Sequence, residues 1–288
     1  MTMPMIPDPD VHALVIELLP EEDVAVPPIS GAQVQGLLLE LMRQSDPELS
    51  NVLHMDVAGK PFTVAVLPPH GSRARGGPAP VLVRVTLLQA GLFGPLMRAL
   101  LSQVRRPALR LGQVAMQLGN VWGTPESHQW AGFARYAELA ARVQAGAWVR
   151  VQFATPTAIA QGAFPDGRKR LELLPTPAAV FGSVGRRWNQ LAPPELGMDA
   201  MLLTEACHAT VVAEHRLRVG EVPGRPPQRG FVGWCSYELP RDAAQRHALT
   251  LLADAAFYLG VGVKTTRGQG LCRRVDVRGE GADDDNPA

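Results

Sequence analysis

The most constraining feature of this 288-residue chain is an order of elements that runs through it twice. Val11 to Leu19 is an apolar run ending at Pro20 and reads as a strand. A helix follows from about Gly31 to Gln44, because Val34, Leu37, Leu38, Leu41 and Met42 recur at helical spacing and make one buried stripe. Asp46-Pro47-Glu48 is a helix cap with proline at the first helical position, so a short second helix should end near Leu53. Phe62 to Leu67 and Val81 to Leu88 read as strands, Leu92 to Val104 as a helix and Ala108 to Leu118 as a final strand. The order is β-α-β-β-α-β, the ferredoxin-like arrangement.

After a connector with Trp122, Trp130 and Tyr136, the order recurs. Trp148 to Ala154 is expected as a strand, Ala178 to Leu191 as a helix, Glu205 to Val219 and Gly230 to Leu239 as strands, Arg241 to Tyr258 as a helix and Leu271 to Arg278 as a last strand. The expected fold class is therefore α+β with tandem ferredoxin-like domains. Residues 1–120 form the first domain, 121–146 the connector, 147–279 the second domain, and 280–288 an acidic tail expected to be disordered.

The formal net charge of +1 hides an uneven distribution. Six acids fall in the first 23 residues and four more close the chain, whereas residues 24–279 carry all 28 Lys and Arg against 17 acids, a net of +11. Residues 57–125 hold eight bases (Lys60, Arg73, Arg75, Arg84, Arg98, Arg105, Arg106 and Arg110) and no acid. Such a body suits a polyanion, since Arg and Lys gain affinity by releasing phosphate counterions; a solvated arginine-rich surface gives the same count. No apolar run is long enough to span a membrane, and Met1 to Asp10 lacks a secretory pattern, so a cytoplasmic location is expected. Cys207, Cys235 and Cys272 form no CxxC pair and are expected as reduced thiols. No histidine pair has metal-ligand spacing, so no metal and no cofactor are expected.

Gly260-Val-Gly-Val-Lys-Thr-Thr-Arg-Gly-Gln-Gly270 holds four glycines and two bases. It is not a Walker A loop, because Val263 stands where a glycine must precede the lysine. It is not a dinucleotide fingerprint, which leaves a strand and opens a helix, whereas this segment leaves a helix and enters a strand. Glycines allow close approach of backbone to phosphate, and Lys264 and Arg267 supply charge. The spacing alone suits a nucleic-acid clamp and an ordinary helix-to-strand turn equally.

The string G-x-G-x-K-x-x-x-G-x-G, filled by Gly260, Gly262, Lys264, Gly268 and Gly270, resembles the C-terminal loop of the repeat-associated mysterious proteins of CRISPR systems. It is closest to their crRNA-processing endoribonucleases, the "Cas six" family. Arg186-Arg187-Trp188-Asn189 and Phe231-Val232-Gly233-Trp234 look like the same family, as does the region running from Val34-Gln35-Gly36-Leu37-Leu38 to Lys60-Pro61-Phe62-Thr63. The resemblance implies RNA binding by Gly260, Gly262, Lys264, Arg267, Gly268 and Gly270, with Arg186 and Arg187 as RNA-backbone ligands or simple helix-surface charge. It also implies catalysis by His54 and Lys60, which match the family's histidine after the short second helix and the lysine beyond it.

Metal-free RNA cleavage needs a base for the 2′-hydroxyl, an acid for the leaving 5′-oxygen and a cation for the charge that grows on phosphorus. Histidine can serve as acid or base, and lysine as the cation. The resemblance departs at Leu39, where some members carry a tyrosine; Leu39 is expected to face the groove but cannot move a proton.

These features lead to an expected metal-independent endoribonuclease that cuts CRISPR repeat RNA, leaving a 2′,3′-cyclic phosphate and a 5′-hydroxyl. Its partners would be repeat RNA or crRNA, and subunits of a CRISPR effector complex; the protein itself would be a monomer or homodimer. Two alternatives stay open: a non-catalytic RNA-binding subunit of such a complex, and a ferredoxin-like ligand-binding regulator.

Overall fold

The computed structural model describes residues 8–21, 28–55, 59–67, 79–103, 109–223 and 227–276. The first half runs β1 (Val11–Pro20), α1 (Gly31–Ser45), α2 (Pro47–His54), β2 (Phe62–Val66), β3 (Val81–Leu87), α3 (Phe93–Gln103), β4 (Leu109–Leu111) and β5 (Val114–Trp122). Its antiparallel sheet has the order β2-β3-β1-β5-β4.

Local chemistry explains these elements. Ser30 and Gln33 form a reciprocal capping box at the start of α1, with the Ser30 N–H donating to Gln33 Oε1 at 2.7 Å and the Gln33 N–H to Ser30 Oγ at 3.3 Å. Asp46 then does two jobs. Its N–H closes α1 on the Met42 carbonyl at 2.7 Å, and its carboxylate accepts from the Leu49 N–H at 2.9 Å to open α2. The expected stripe of Val34, Leu37, Leu38, Leu41 and Met42 is buried, each large side chain contributing roughly 1.5–3 kcal/mol. It packs against Leu14, Ile16 and Leu18 of β1, while Val11, Ala13 and Val15 alternate to the opposite face.

β6 (Gly132–Ala134) pairs with β1, and α4 (Tyr136–Ala141) follows. The second half runs β7 (Trp148–Thr157), β8 (Ile159–Ala163), β9 (Lys169–Glu172), α5 (Pro177–Leu191), α6 (Ala200–His208), β10 (Val211–Val222), β11 (Gln228–Glu238), α7 (Ala243–Leu259) and β12 (Cys272–Val275). Its main sheet has the order β10-β11-β7-β12. In both halves the second, third, first and last core strands therefore lie side by side in that order, the ferredoxin-like pattern. α7 packs on its own sheet and also reaches β1, β2 and β3 of the first half.

Four expectations change. The strand set at Ala108 to Leu118 is a hairpin of β4 and β5, because Gly112 at φ +64 lets the chain reverse between paired Leu111 and Val114; Ala108 itself lies outside the described residues. The strand set at Glu205 to Val219 begins only at Val211. Its first residues belong to α6, whose cap is Asp199 accepting from the Leu202 N–H at 2.7 Å. His208 therefore ends that helix. The β8–β9 hairpin had no counterpart in the sequence reading, although Asp166-Gly167, with Gly167 at φ +81, is a recognised hairpin signal. The connector contributes β6 to the first sheet and packs α4 against α7. The acidic tail, most of the Pro68 to Pro80 loop with His70, Arg73 and Arg75, and the bases Arg105 and Arg106 lie outside the described residues.

Candidate functional site

The glycine-rich segment connects α7 to β12 and is pinned from several sides. The N–H groups of Gly260, Gly262 and Gly270 donate to the Ala256 carbonyl at 2.9 Å, Ser183 Oγ at 2.9 Å and the Pro156 carbonyl at 3.2 Å. The Val261 and Val263 N–H groups donate to the Gly270 and Ala158 carbonyls at 2.9 and 2.8 Å. Gly262 and Gly270 hold φ near +81 and +74, and a Cβ on either would strike the carbonyl of Ala158 or Val261. These glycines give the loop its shape, and their amides are engaged within the chain. The charge comes from two exposed side chains, Lys264 and Arg267. Lys264 is the sole non-glycine at positive φ among the described residues (φ +58). Its ammonium is held below the usual lysine range by partial burial first, and then by the neighbouring Arg267 and Lys169 cations.

This loop borders a groove of about 830 Å³ between the halves. From the first half come Gln35 on α1, Gly59 and Lys60; from the second come Lys169, Leu171 and Leu173 of the hairpin region, Arg187 of α5, and Gln228 and Arg229 of β11. Six lining residues are basic (Lys60, Lys169, Arg187, Arg229, Lys264 and Arg267) and none is acidic. A cleft lined by one sign of charge concentrates counter-charged ligands, here polyanions. Lys169, Leu171, Gln35 and Arg229 had no place among the sequence candidates, because only the fold brings them together.

Lys60 sits at the mouth of β2, and its ammonium donates to the carbonyls of Leu53 at 3.1 Å and His54 at 3.4 Å, closing the C-terminus of α2. The Lys60 ammonium thus lies against the backbone carbonyl of His54, the other expected catalytic residue. His54 is the last residue of α2 and is exposed; it is not among the groove-lining residues, whereas Lys60 is. Leu39, expected to face the groove, is instead partly buried against the first core, with its carbonyl accepting from Ser50 Oγ at 2.9 Å. Gln35, one turn earlier on α1, is the helix residue that reaches the groove.

Arg186 and Arg187 part company, as consecutive helical residues must. Arg186 is exposed and lines a separate cleft between α5 and α6 with Asn189, Met198 and His208. Arg187 is largely buried, and burial pushes its guanidinium down to about 10. It donates from Nη1 to Thr265 Oγ1 at 2.6 Å and from Nη2 to the carbonyls of Lys60 at 3.0 Å and Phe62 at 3.1 Å. Trp188 is fully buried, with its indole N–H donating to the Leu196 carbonyl at 2.7 Å. Among the described residues, no cluster of His, Cys, Asp or Glu is arranged to hold a metal, and no helix is long and apolar enough to cross a membrane.

Residues 10–141 match the family described as CRISPR Cas6 N-terminal domain, and residues 151–271 match CRISPR-associated endoribonuclease Cas6. Among solved structures the chain is similar to a Cas6 (TTHB231) product complex, with 32% identity and a TM-score of 0.81 over 92% of this chain and 100% of that one. A second structure, Thermus thermophilus Cas6 (TTHB231), is similar at 28% identity and a TM-score of 0.71, over 93% of this chain and 100% of that one. A Cas6 (TTHA0078) product complex is similar at 27% identity and a TM-score of 0.73, over 92% and 99%. No curated protein sequence matches. The match to the N-terminal domain spans the Pro68 to Pro80 loop and residues 121–141 of the connector.

Proposed function

The chain belongs to the Cas6 family of CRISPR-associated endoribonucleases, and from that premise we propose that it cuts CRISPR repeat RNA without a metal, giving a 2′,3′-cyclic phosphate and a 5′-hydroxyl. The observation that carries this reading is the groove between the halves, which Lys60 of the first half lines together with Lys264 and Arg267 of the second, with no acid among the lining residues. An RNA strand lying there would have its phosphates neutralised by Lys264, Arg267 and Lys169, and unpaired bases could rest on Leu171 and Leu173.

In this mechanism the 2′-hydroxyl attacks the adjacent phosphorus and the bond to the 5′-oxygen breaks. His54 serves as general acid or base, and Lys60 stabilises the charge that accumulates on the phosphoryl oxygens. Its ammonium has three protons and gives two bonds to the end of α2, so one remains for a phosphate oxygen.

A second reading, a non-catalytic subunit that carries processed RNA, draws on Leu39, whose side chain can neither accept nor give a proton and packs on the core. One experiment separates the two. A labelled repeat transcript from the source genome is incubated in excess EDTA with the wild type and with His54→Ala. Cleavage by the wild type and its loss in the variant support the nuclease. Equal cleavage by both removes His54 from the mechanism, and tight binding without cleavage by either favours the carrier.

A further inference from the structure

The second half touches the first through a fork that neither RNA binding nor acid–base chemistry requires. β2 is an edge strand of the first sheet, so its outward carbonyls lack a strand partner. The carbonyls of Lys60 and Phe62 point to that edge, while the Pro61 carbonyl turns inward to accept from the Leu88 N–H at 2.9 Å. Arg187 Nη2 takes both outward carbonyls, at 3.0 and 3.1 Å, and Nη1 holds Thr265 Oγ1 at 2.6 Å. Thr265 stands between Lys264 and Arg267 in the glycine-rich loop and is itself buried. The same loop is pressed against the start of α1, where a Cβ at Gly31 would collide with the Arg267 carbonyl.

We propose that Arg187 is a positioning residue that couples the glycine-rich loop to the Lys60–His54 pair across the boundary between the halves; this rests on the nuclease reading above. The chain of contacts is short. RNA phosphates bound by Lys264 and Arg267 load the turn carrying Thr265. Arg187 transmits that position to the backbone of Lys60, and Lys60 in turn grips the carbonyl of His54. The Arg187 Nε is buried with no hydrogen-bond partner, and Arg187 makes no ion pair among the described residues. With no counter-ion to offset its desolvation, Arg187 draws its contribution from the hydrogen bonds of its fork. Only a planar guanidinium can reach two strand carbonyls and a hydroxyl at once; a lysine ammonium cannot span that fork.

The test uses the full chain, a labelled repeat transcript from the source genome, and the variants Arg187→Met, Arg187→Lys and Thr265→Val. RNA affinity is measured together with single-turnover cleavage at saturating RNA. Amide hydrogen exchange of the free proteins is compared at residues 60–62 and 265–268. The expected result is a fall in the saturated cleavage rate of about 10²-fold for Arg187→Met, not rescued by lysine, with affinity lowered only by roughly the few-fold that losing one groove cation costs. Exchange at the two segments should rise together, and Thr265→Val should show the same effects in weaker form. A cleavage rate that stays at the wild-type value, or a loss confined to affinity, overturns the proposal, as does exchange that rises at one segment only. If Arg187→Met fails to fold, Thr265→Val and Arg187→Lys decide it by the same readouts. If the wild type does not cleave, the nuclease reading falls, while the exchange experiment still decides whether the two segments are coupled through Arg187.

Discussion

Arg84 on β3 donates from Nη2 to the carbonyl of Phe257 on α7 at 2.7 Å, and its guanidinium carbon lies 4.5 Å from the centre of the Phe257 ring. Its Nε donates to the Trp130 carbonyl at 2.8 Å, and the Trp130 and Phe257 rings stack with centroids 6.1 Å apart. One side chain from the first half therefore ties the connector and the last helix of the second half to the open face of the first sheet. The group is 2% exposed, and burial pushes its guanidinium down to about 10, so it remains charged at neutral pH. Two carbonyls and two aromatic faces replace the water it gave up.

Arg84→Met should lower stability by about 2–4 kcal/mol in urea unfolding, because it strands the Trp130 and Phe257 carbonyls in a buried site. Arg84→Lys should recover only part of this, since one ammonium cannot address both carbonyls and the ring. An unfolding midpoint unchanged in Arg84→Met would refute this account of the junction.

Two substitutions in the glycine-rich loop should behave oppositely. Gly262→Ala forces a side chain into the left-handed region and against the Ala158 carbonyl, so it should cost at least ~1 kcal/mol of stability and weaken RNA binding with it. Lys264→Gly relieves the left-handed strain at φ +58 and should leave the unfolding midpoint unchanged or higher. It should nevertheless weaken RNA binding and reduce the salt dependence of the binding constant by about one charge. Thermal melts paired with salt titrations read both effects. A Lys264→Gly protein that melts earlier while binding RNA normally would contradict the assignment of shape to the glycines and charge to the lysine.

Salt dependence offers a wider test of the groove. Replacing Lys169, Lys264 and Arg267 together by alanine should flatten the slope of log K against log salt by about two to three charges. Arg186→Ala, whose side chain lines a different cleft, should leave the slope where it is. Filter binding across a salt series distinguishes the two, and an equal effect of both would place the RNA elsewhere.

His12 supplies a pH dependence of stability unrelated to cleavage. Its imidazole stacks on Phe93 with centroids 4.0 Å apart, and burial, the largest influence, holds its pKa below 6.5. The unfolded chain therefore binds the proton more readily than the folded one. The stability His12 contributes is complete above pH 6.5 and is lost as the pH falls through its lowered folded value. The melting temperature should drop between pH 7.5 and pH 5, and His12→Phe, which keeps the stack, should shrink that drop. An identical drop in the variant would show that other groups account for it.

Local chemistry in the sequence was enough to place α1, its buried stripe, the Asp46 cap of α2 and the β-α-β-β-α-β order, because capping and apolar periodicity act over a few residues. The glycines of the 260–270 loop stood out in the sequence as points of close backbone approach, but their positive φ and the internal bonds of the Gly260, Gly262 and Gly270 amides belong to the tertiary structure. The hairpin break at Gly112 and the β8–β9 turn at Asp166-Gly167 had local signals too, but short strands with weak alternation hid them. The tertiary structure decided which groups share a groove and which are already engaged. Arg186 and Arg187 are indistinguishable as neighbours in sequence, yet one meets solvent and the other joins Lys60 and Phe62 to Thr265. Those partners lie 127, 125 and 78 residues from Arg187 along the chain, too far apart for any local pattern to record.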